Sequence, residues 1–235
     1  MNSFGDQKIS RIAKIRTGIQ TIIVILLTFA IIFGCAGTWD YWQGWVFVII
    51  DAICKLSRMV FIPAELIQER AEPEKKLGTK KWDYIIITLY ALFSVIGAII
   101  AALDGGRFHW TDVFPIWINM IAFAFFFFCN LLFFYSMWIN RFFSVTVRIQ
   151  EEKGHKVVDN GPYKYIRHPG YAAAITAQLF YAIGLNSLWA LIPSGLAAIV
   201  FIIRTYLEDI TLQKELPGYT DYVARVKYRL FPGLW

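Results

Sequence analysis

The stretch VFPIWINMIAFAFFFFCNLLFFYSMWI, residues 113–139, decides the fold. It contains no Asp, Glu, Lys or Arg. It exceeds the roughly 20 residues that carry an α-helix across a hydrocarbon core of about 30 Å. Lipid offers no hydrogen bonds, so a chain crossing it satisfies its own backbone by coiling into a helix. Similar apolar blocks lie on both sides. They cover about 17–36, 42–63 and 83–103 before this stretch, and 171–189 and 196–207 after it. Composition agrees: 57% of residues are hydrophobic and 17% charged, where a soluble domain carries about 25% charged residues. The pattern predicts an all-α, polytopic transmembrane helical bundle with five to six membrane-embedded helices.

The joints between blocks add detail. Asp104-Gly105-Gly106-Arg107 reads as a turn. Asn186-Ser187, followed closely by Pro193 and Gly195, predicts that the last two blocks close as a helical hairpin. The charged and aromatic segment 208–227 predicts a cytosolic C-terminal helix, interrupted near Pro217-Gly218. The first block is expected to be retained, because it lacks a small-residue cleavage pattern and more spans follow. Two parts result: an anchor of about four spans over 1–140, and a second region over 141–235 with the hairpin and the C-terminal tail.

Charge placement supplies a topology. Alternating spans put the N-terminus, the polar segment 64–82, the loop 140–169 and the C-terminus on one side. Of the 23 lysines and arginines, Arg107 alone then falls toward the other side. Basic loops face the cytoplasm, so the reading is a multi-pass integral membrane protein with both termini and the loop 140–169 cytoplasmic. Membrane topology accounts for the net charge of +6, and no nucleic-acid partner is expected. Trp39 and Tyr41 suit the opposite interface. Cys35, Cys54 and Cys129 lack metal-ligand spacing or an evident pairing, and no metal is expected.

Four groups of residues invite a chemical reading, and each has a structural alternative. Arg167-His168-Pro169-Gly170-Tyr171, preceded by Gly161-Pro162-Tyr163, is either a basic interface anchor with a proline-started helix or a site. Arg204 and Glu208, four apart on one helical face, with Asp209 beside them, form either an ion pair at a helix end or a functional charge cluster near lipid. Leu212, Leu216, Tyr219, Tyr222 and Val226 recur at helical spacing. They suit a helix resting on the bundle or the membrane surface, or a lid. Asp51, Lys55 and Arg58 share a face of the second block, as a packing network or a substrate path.

Taken together, Gly161-Pro162-Tyr163, Arg167-His168-Pro169-Gly170-Tyr171, Arg204, Glu208-Asp209, Leu212, Gly218-Tyr219, Tyr222, Val226 and Pro232 resemble the isoprenylcysteine carboxyl methyltransferase family, parts of whose pattern are shared by phospholipid N-methyltransferases. The resemblance covers about residues 148–235. It implies S-adenosylmethionine as methyl donor, bound on the cytosolic side near the C-terminal hairpin. It implies that Gln150, His155, Lys156, Val157, Val158, Tyr163, His168, Pro169, Gly170, Tyr171 and Glu208 hold this cofactor. It also implies that Arg204 faces the substrate as the catalytic, substrate-binding residue. Asp209 departs from the pattern, where the family often has a second glutamate. The loop before His155 is also shorter.

Those residue types suit the cofactor. Tyrosine rings offer π-faces to an adenine or a sulfonium, Glu208 can accept from an ammonium or a ribose, and arginine can grip a carboxylate with two parallel bonds. Methyl transfer needs chiefly alignment and exclusion of water. The resulting expectation is an integral membrane methyltransferase acting on a lipophilic small-molecule or lipidated acceptor, of prenylcysteine-carboxylate type or another carboxylate, with membrane lipid around it. Two other functions compete. One is a membrane NADPH-dependent reductase of sterol type, which shares an Arg-His-Pro-x-Tyr pattern. The other is a non-enzymatic membrane protein whose charges serve topology and packing.

Overall fold

A computed structural model describes residues 3–61 and 78–235, with side chains from Lys14 onward. The described residues form seven α-helices and no strand. In chain order these are α1 (Ser3–Ala36), α2 (Trp42–Phe61), α3 (Lys81–Ala102), α4 (Ile116–Ile139), α5 (Pro169–Gly184), α6 (Leu191–Glu215) and α7 (Tyr219–Arg225). α1 packs on α2 and α3, α2 on α4, α4 on α5, α5 on α6 and α6 on α3. The six long helices therefore close into a ring, and the protein is a polytopic helical bundle.

Four segments are long and apolar enough to cross a membrane: Lys14–Ala36, Lys81–Phe108, Ile116–Ile139 and Leu191–Glu215. The other two long helices differ in kind. α2 carries Asp51, Lys55 and Arg58 on one flank. α5 has 16 residues, a length of about 24 Å, so it sits within the bundle as the short arm of the hairpin. The segment 62–77, with the predicted end of the second block at Pro63, lies outside the described residues.

The structure redraws three sequence boundaries. The sixth block does not stop at Leu207, because α6 runs unbroken from Leu191 to Glu215. Its apolar stripe continues through Leu212, and partners for Glu208 and Asp209 let charged residues enter the helix without ending it. The separate C-terminal helix shrinks to α7, which starts after Gly218 at φ 80°. Pro193 belongs to the first part of α6, and the hairpin turn itself is carried by Asn186 at φ 60°. Asp104-Gly105-Gly106-Arg107 is not a turn but part of a π-helical extension of α3, Leu103–Phe108. Glycine is needed there. A Cβ on Gly105 would stand 2.1 Å from the Leu185 carbonyl oxygen, and one on Gly106 would stand 2.6 Å from Ala36 Cβ.

The ring has two unlike ends. At one end Ile32, Phe33, Tyr41, Phe47, Ala101, Ala102, Phe123, Tyr181, Ala182 and Leu185 pack into the largest core cluster. Tyr41 donates to the Leu185 carbonyl at 2.7 Å, and buried Asp104 accepts from the Thr111 N–H, the Thr111 hydroxyl and the Ser187 hydroxyl at 2.7, 2.7 and 2.6 Å. At the other end, the starts of α3 and α5 and the end of α6 meet the loop 140–168 and the tail. This grouping of loops is the one the charge pattern predicts.

Candidate active site

At the second end, a cavity of about 760 Å³, counting the part open to solvent, lies between the loop after α4, the start of α5, the end of α6, and α7. The loop is shaped from within. Asn140 Oδ1 accepts the Phe142 N–H at 2.9 Å, and the fully buried Gln150 donates through Nε2 to the Phe142 carbonyl at 2.8 Å. The loop is tied to the bundle where Val147 N–H donates to Asp83 Oδ2 at 2.7 Å and Lys80 N–H donates to the Val147 carbonyl at 3.1 Å. His155 stacks on Phe142 at 4.4 Å between centroids, and its Nδ1 accepts the Gln150 N–H at 3.3 Å. Burial, helped by the charge of Arg148 and opposed by that of Glu152, lowers the His155 pKa to about 4. The ring is therefore neutral at pH 7.

Pro169 starts α5, as its missing N–H favours. His168 occupies the N-cap position without a side-chain capping bond; its ring faces Asp209, with Nε2 3.4 Å from Oδ1. It also stacks on Tyr171 at 5.6 Å with an interplanar angle of 8°. Tyr171 donates its hydroxyl to Glu208 Oε2 at 2.5 Å, so a carboxylate and two aromatic rings form one wall. Tyr219 and Tyr222 from α7 also line the cavity, with Leu212 and Leu216 from α6 and the segment after it. Tyr222 reaches across to the Tyr163 carbonyl at 2.6 Å. Burial holds the hydroxyls of Tyr163, Tyr219 and Tyr222 well above the usual tyrosine pKa, keeping them neutral donors.

Asp209 holds this end together. Its carboxylate is fully buried. It accepts from Arg167 Nε at 2.8 Å and Nη2 at 3.1 Å, Arg229 Nε at 2.9 Å, Gln213 Nε2 at 2.9 Å and the Tyr219 hydroxyl at 3.0 Å. Arg167 also donates through Nη1 to the Val226 and Lys227 carbonyls at 2.8 and 3.0 Å. The backbone N–H groups of Arg167 and His168 donate to the Tyr228 and Arg229 carbonyls, each at 2.9 Å. One aspartate thus fastens the Arg-His-Pro segment, α6, α7 and the terminal tail into a single wall.

The residues singled out from sequence divide three ways. His155, Lys156, Val157, Val158, Tyr163, His168, Gly170, Tyr171 and Glu208 all line the cavity. Gln150 and Pro169 stand behind its surface, as support for the loop and as the start of α5. Arg204 also stands behind the wall. Its Nε and Nη2 pair with Asp83 Oδ1 and Oδ2 at 2.7 and 3.0 Å, Nη2 donates to the Val145 carbonyl at 2.6 Å, and its guanidinium lies 5.1 Å from the Tyr171 ring centre. Its fork therefore already holds a carboxylate of the protein itself. Sequence reasoning gave no role to Asp83, Asn140, Phe142, Phe143, Ser144, Thr146, Val147 or Arg148. The available signal was weak: an acidic residue at the start of an apolar block and a polar loop beside a recognised motif.

Residues 117–214 match the family model of the isoprenylcysteine carboxyl methyltransferase (ICMT) family. No curated protein matches the chain. The match takes in nearly all of α4, the loop, α5 and α6, and it stops before α7. It thus starts earlier than the residues that carried the resemblance and leaves Tyr219, Tyr222 and the tail outside. Over this segment the chain is similar to that family, and the match together with four helices long and apolar enough to cross a membrane supports a membrane methyltransferase.

Proposed function

From this similarity we propose that the protein transfers a methyl group from S-adenosylmethionine to a carboxylate on a lipophilic acceptor. The observation that carries the proposal is the cavity: the family segment folds so that Glu208, Tyr171 and His168 share one wall of a space of about 760 Å³. Its chemistry fits the donor group by group. Glu208 offers an acceptor to an ammonium or to ribose hydroxyls. Lys156 supplies a cation for a carboxylate, and aromatic rings of the lining, Tyr163 among them, provide surface for an adenine or a cation. When bound, S-adenosylmethionine supplies an electrophilic methyl group, whose bonding pair stays with the departing sulfur as a carboxylate oxygen takes the carbon.

The chain's own residues then have defined tasks. Tyr171 is held through its ring by His168 and Arg204 and through its hydroxyl by Glu208. It presents one rigid surface to the reacting centre. Arg204 acts in this reading as a positioning residue, through Tyr171 and Asp83. Tyr219 and Tyr222 of α7 line the cavity, and water displaced from it by a bound donor strengthens the electrostatic contacts there. Residues 141–235 carry the cofactor site and 1–140 the anchor, and the basic end faces the cytoplasm by the charge rule.

Titrating the purified protein with S-adenosylmethionine tests the proposal. Saturable binding is expected, weakened about 10- to 100-fold in Glu208→Ala by loss of a charged hydrogen-bond acceptor. No binding by the wild type, or affinity indifferent to Glu208, overturns it. Saturable NADPH binding in its place would select the reductase.

A further inference from the structure

We propose that Asp83 is a positioning residue for the cofactor site: paired with Arg204, it sets the loop that lines the cavity in register with Tyr171 and Glu208. The inference deepens the methyltransferase reading above and rests on it. It gives the N-terminal part of the chain a task in the site. Asp83 lies on α3, before the segment 117–214 that matches the family model.

An acidic residue in the first turn of a helix is ordinary, because it faces the positive end of the helix dipole. Asp83 serves otherwise. It is fully buried, and both carboxylate oxygens bond to other elements. Oδ1 accepts Arg204 Nε at 2.7 Å, while Oδ2 accepts Arg204 Nη2 at 3.0 Å and the Val147 N–H at 2.7 Å. Arg204 Nη2 donates onward to the Val145 carbonyl at 2.6 Å. The pair therefore grips the loop backbone by a carbonyl and by an N–H two residues later. Ser144, Thr146, Val147 and Arg148, in and beside that stretch, line the cavity. Their backbone is thus held by two side chains that stand behind the lining.

The same guanidinium reaches the other helices of the site. It lies 5.1 Å from the centre of the Tyr171 ring, and the Tyr171 hydroxyl is bonded to Glu208. α3, the loop, α5 and α6 converge on this one ion pair. Its geometry matters as well as its charge. A carboxylate accepts from the arginine fork and from a backbone N–H at the same time. An asparagine offers one oxygen and turns an NH2 group toward donors. A counter-ion role alone would need the charge of Asp83 but not its bond to Val147.

The test uses the full-length protein in detergent. It reads thermal stability and, by titration below the melting temperature, affinity for S-adenosylmethionine. Asp83→Asn strands a buried arginine and should lower both. The double variant Asp83→Leu/Arg204→Met removes both charges, and apolar replacement of a buried pair costs little stability. It should therefore melt above Asp83→Asn, yet bind S-adenosylmethionine about 10-fold more weakly than the wild type, because the loop has lost both anchors. Arg204→Lys keeps a charge opposite Asp83 but gives up the planar fork, and it carries the test if the double variant does not fold. It should hold most of the stability and lose affinity a few-fold. Wild-type affinity in the double variant overturns the inference, since Asp83 would then be only a counter-ion. So does wild-type affinity in Arg204→Lys or in Asp83→Asn. Failure of the wild type to bind S-adenosylmethionine sinks the methyltransferase reading itself, a separate result.

Discussion

The two ends of the bundle each bury an aspartate, and they neutralise it in opposite ways. Asp104 accepts from one backbone N–H and two hydroxyls, all within a tight knot of π-helix and hairpin turn. Asp209 accepts from two arginines, a tyrosine and a glutamine drawn from four separate segments. The first end is closed by small residues and neutral donors, with Gly105 and Gly106 letting backbones touch. The second is held by charge across long sequence separations, and it leaves a cavity. Neutral closure suits a rigid plug. Charged clamps suit a site that must surround a charged ligand while keeping its walls fixed.

Removing the clamp should give the largest effect. Asp209→Asn leaves Arg167 and Arg229 facing a neutral amide in a buried setting. Breaking a buried pair in this way costs about 3–5 kcal/mol. A large drop in thermal stability in detergent is expected, with loss of S-adenosylmethionine binding because the wall carrying His168 and Tyr219 comes apart. A variant as stable as the wild type would show that the arginines, not the aspartate, organise this end.

Removing the plug's carboxylate sharpens the contrast. Asp104→Ala strands the Thr111 and Ser187 hydroxyls and one N–H, at about 1–3 kcal/mol for unsatisfied buried groups. The same unfolding assay should show this smaller loss, while affinity for S-adenosylmethionine stays at the wild-type value. With the two carboxylates at opposite ends and sharing no partner, the stability losses of the double variant should add. A loss of affinity in Asp104→Ala would mean that the ends are coupled.

The same contrast explains what the sequence discloses. Apolar blocks of spanning length place α3, α4 and the end of α1 to within a few residues, because lipid imposes a length and forbids charge; the basic start of α1 at Ser3 lies outside its apolar block. The end of α6 escapes that logic. The charges at Glu208 and Asp209 look like a boundary, yet Tyr171 and Arg167 satisfy them inside a continuing helix. Cavity-lining residues near the Arg-His-Pro motif are legible because they cluster in sequence. The partner of Arg204 is not: local spacing suggests Glu208, four residues on, whereas the fold supplies Asp83 from 121 positions away. Pairing across a helix ring depends on topology, which no local pattern carries.

A lighter probe of the charged end is Tyr171→Phe, which keeps the ring against His168 and Arg204 and deletes only the hydroxyl bonded to Glu208. A single hydrogen bond contributes about 1 kcal/mol. The affinity for S-adenosylmethionine should change a few-fold, much less than in Glu208→Ala. A change as large as that of Glu208→Ala would show that the carboxylate acts only through the tyrosine.

The smallest effect concerns pH at His155. Its ring is held neutral, with a pKa of about 4 in the folded protein against an ordinary value of about 6.5. As pH falls below 6.5 the unfolded chain takes up a proton that the folded chain refuses. Unfolding then consumes protons, and stability drops through the window from pH 6.5 to about 4, with no further loss from this group below it. The ring is only half-buried, so the cost is about 1 kcal/mol after solvent screening. His155→Gln carries no titrating ring, and its thermal stability should fall less steeply across this window. The neutral plug has no counterpart among its described contacts, so the differential slope belongs to the cavity end. Parallel slopes for wild type and variant would show that the Phe142 stack and the Gln150 N–H, rather than the ring's protonation state, set the stability of the loop.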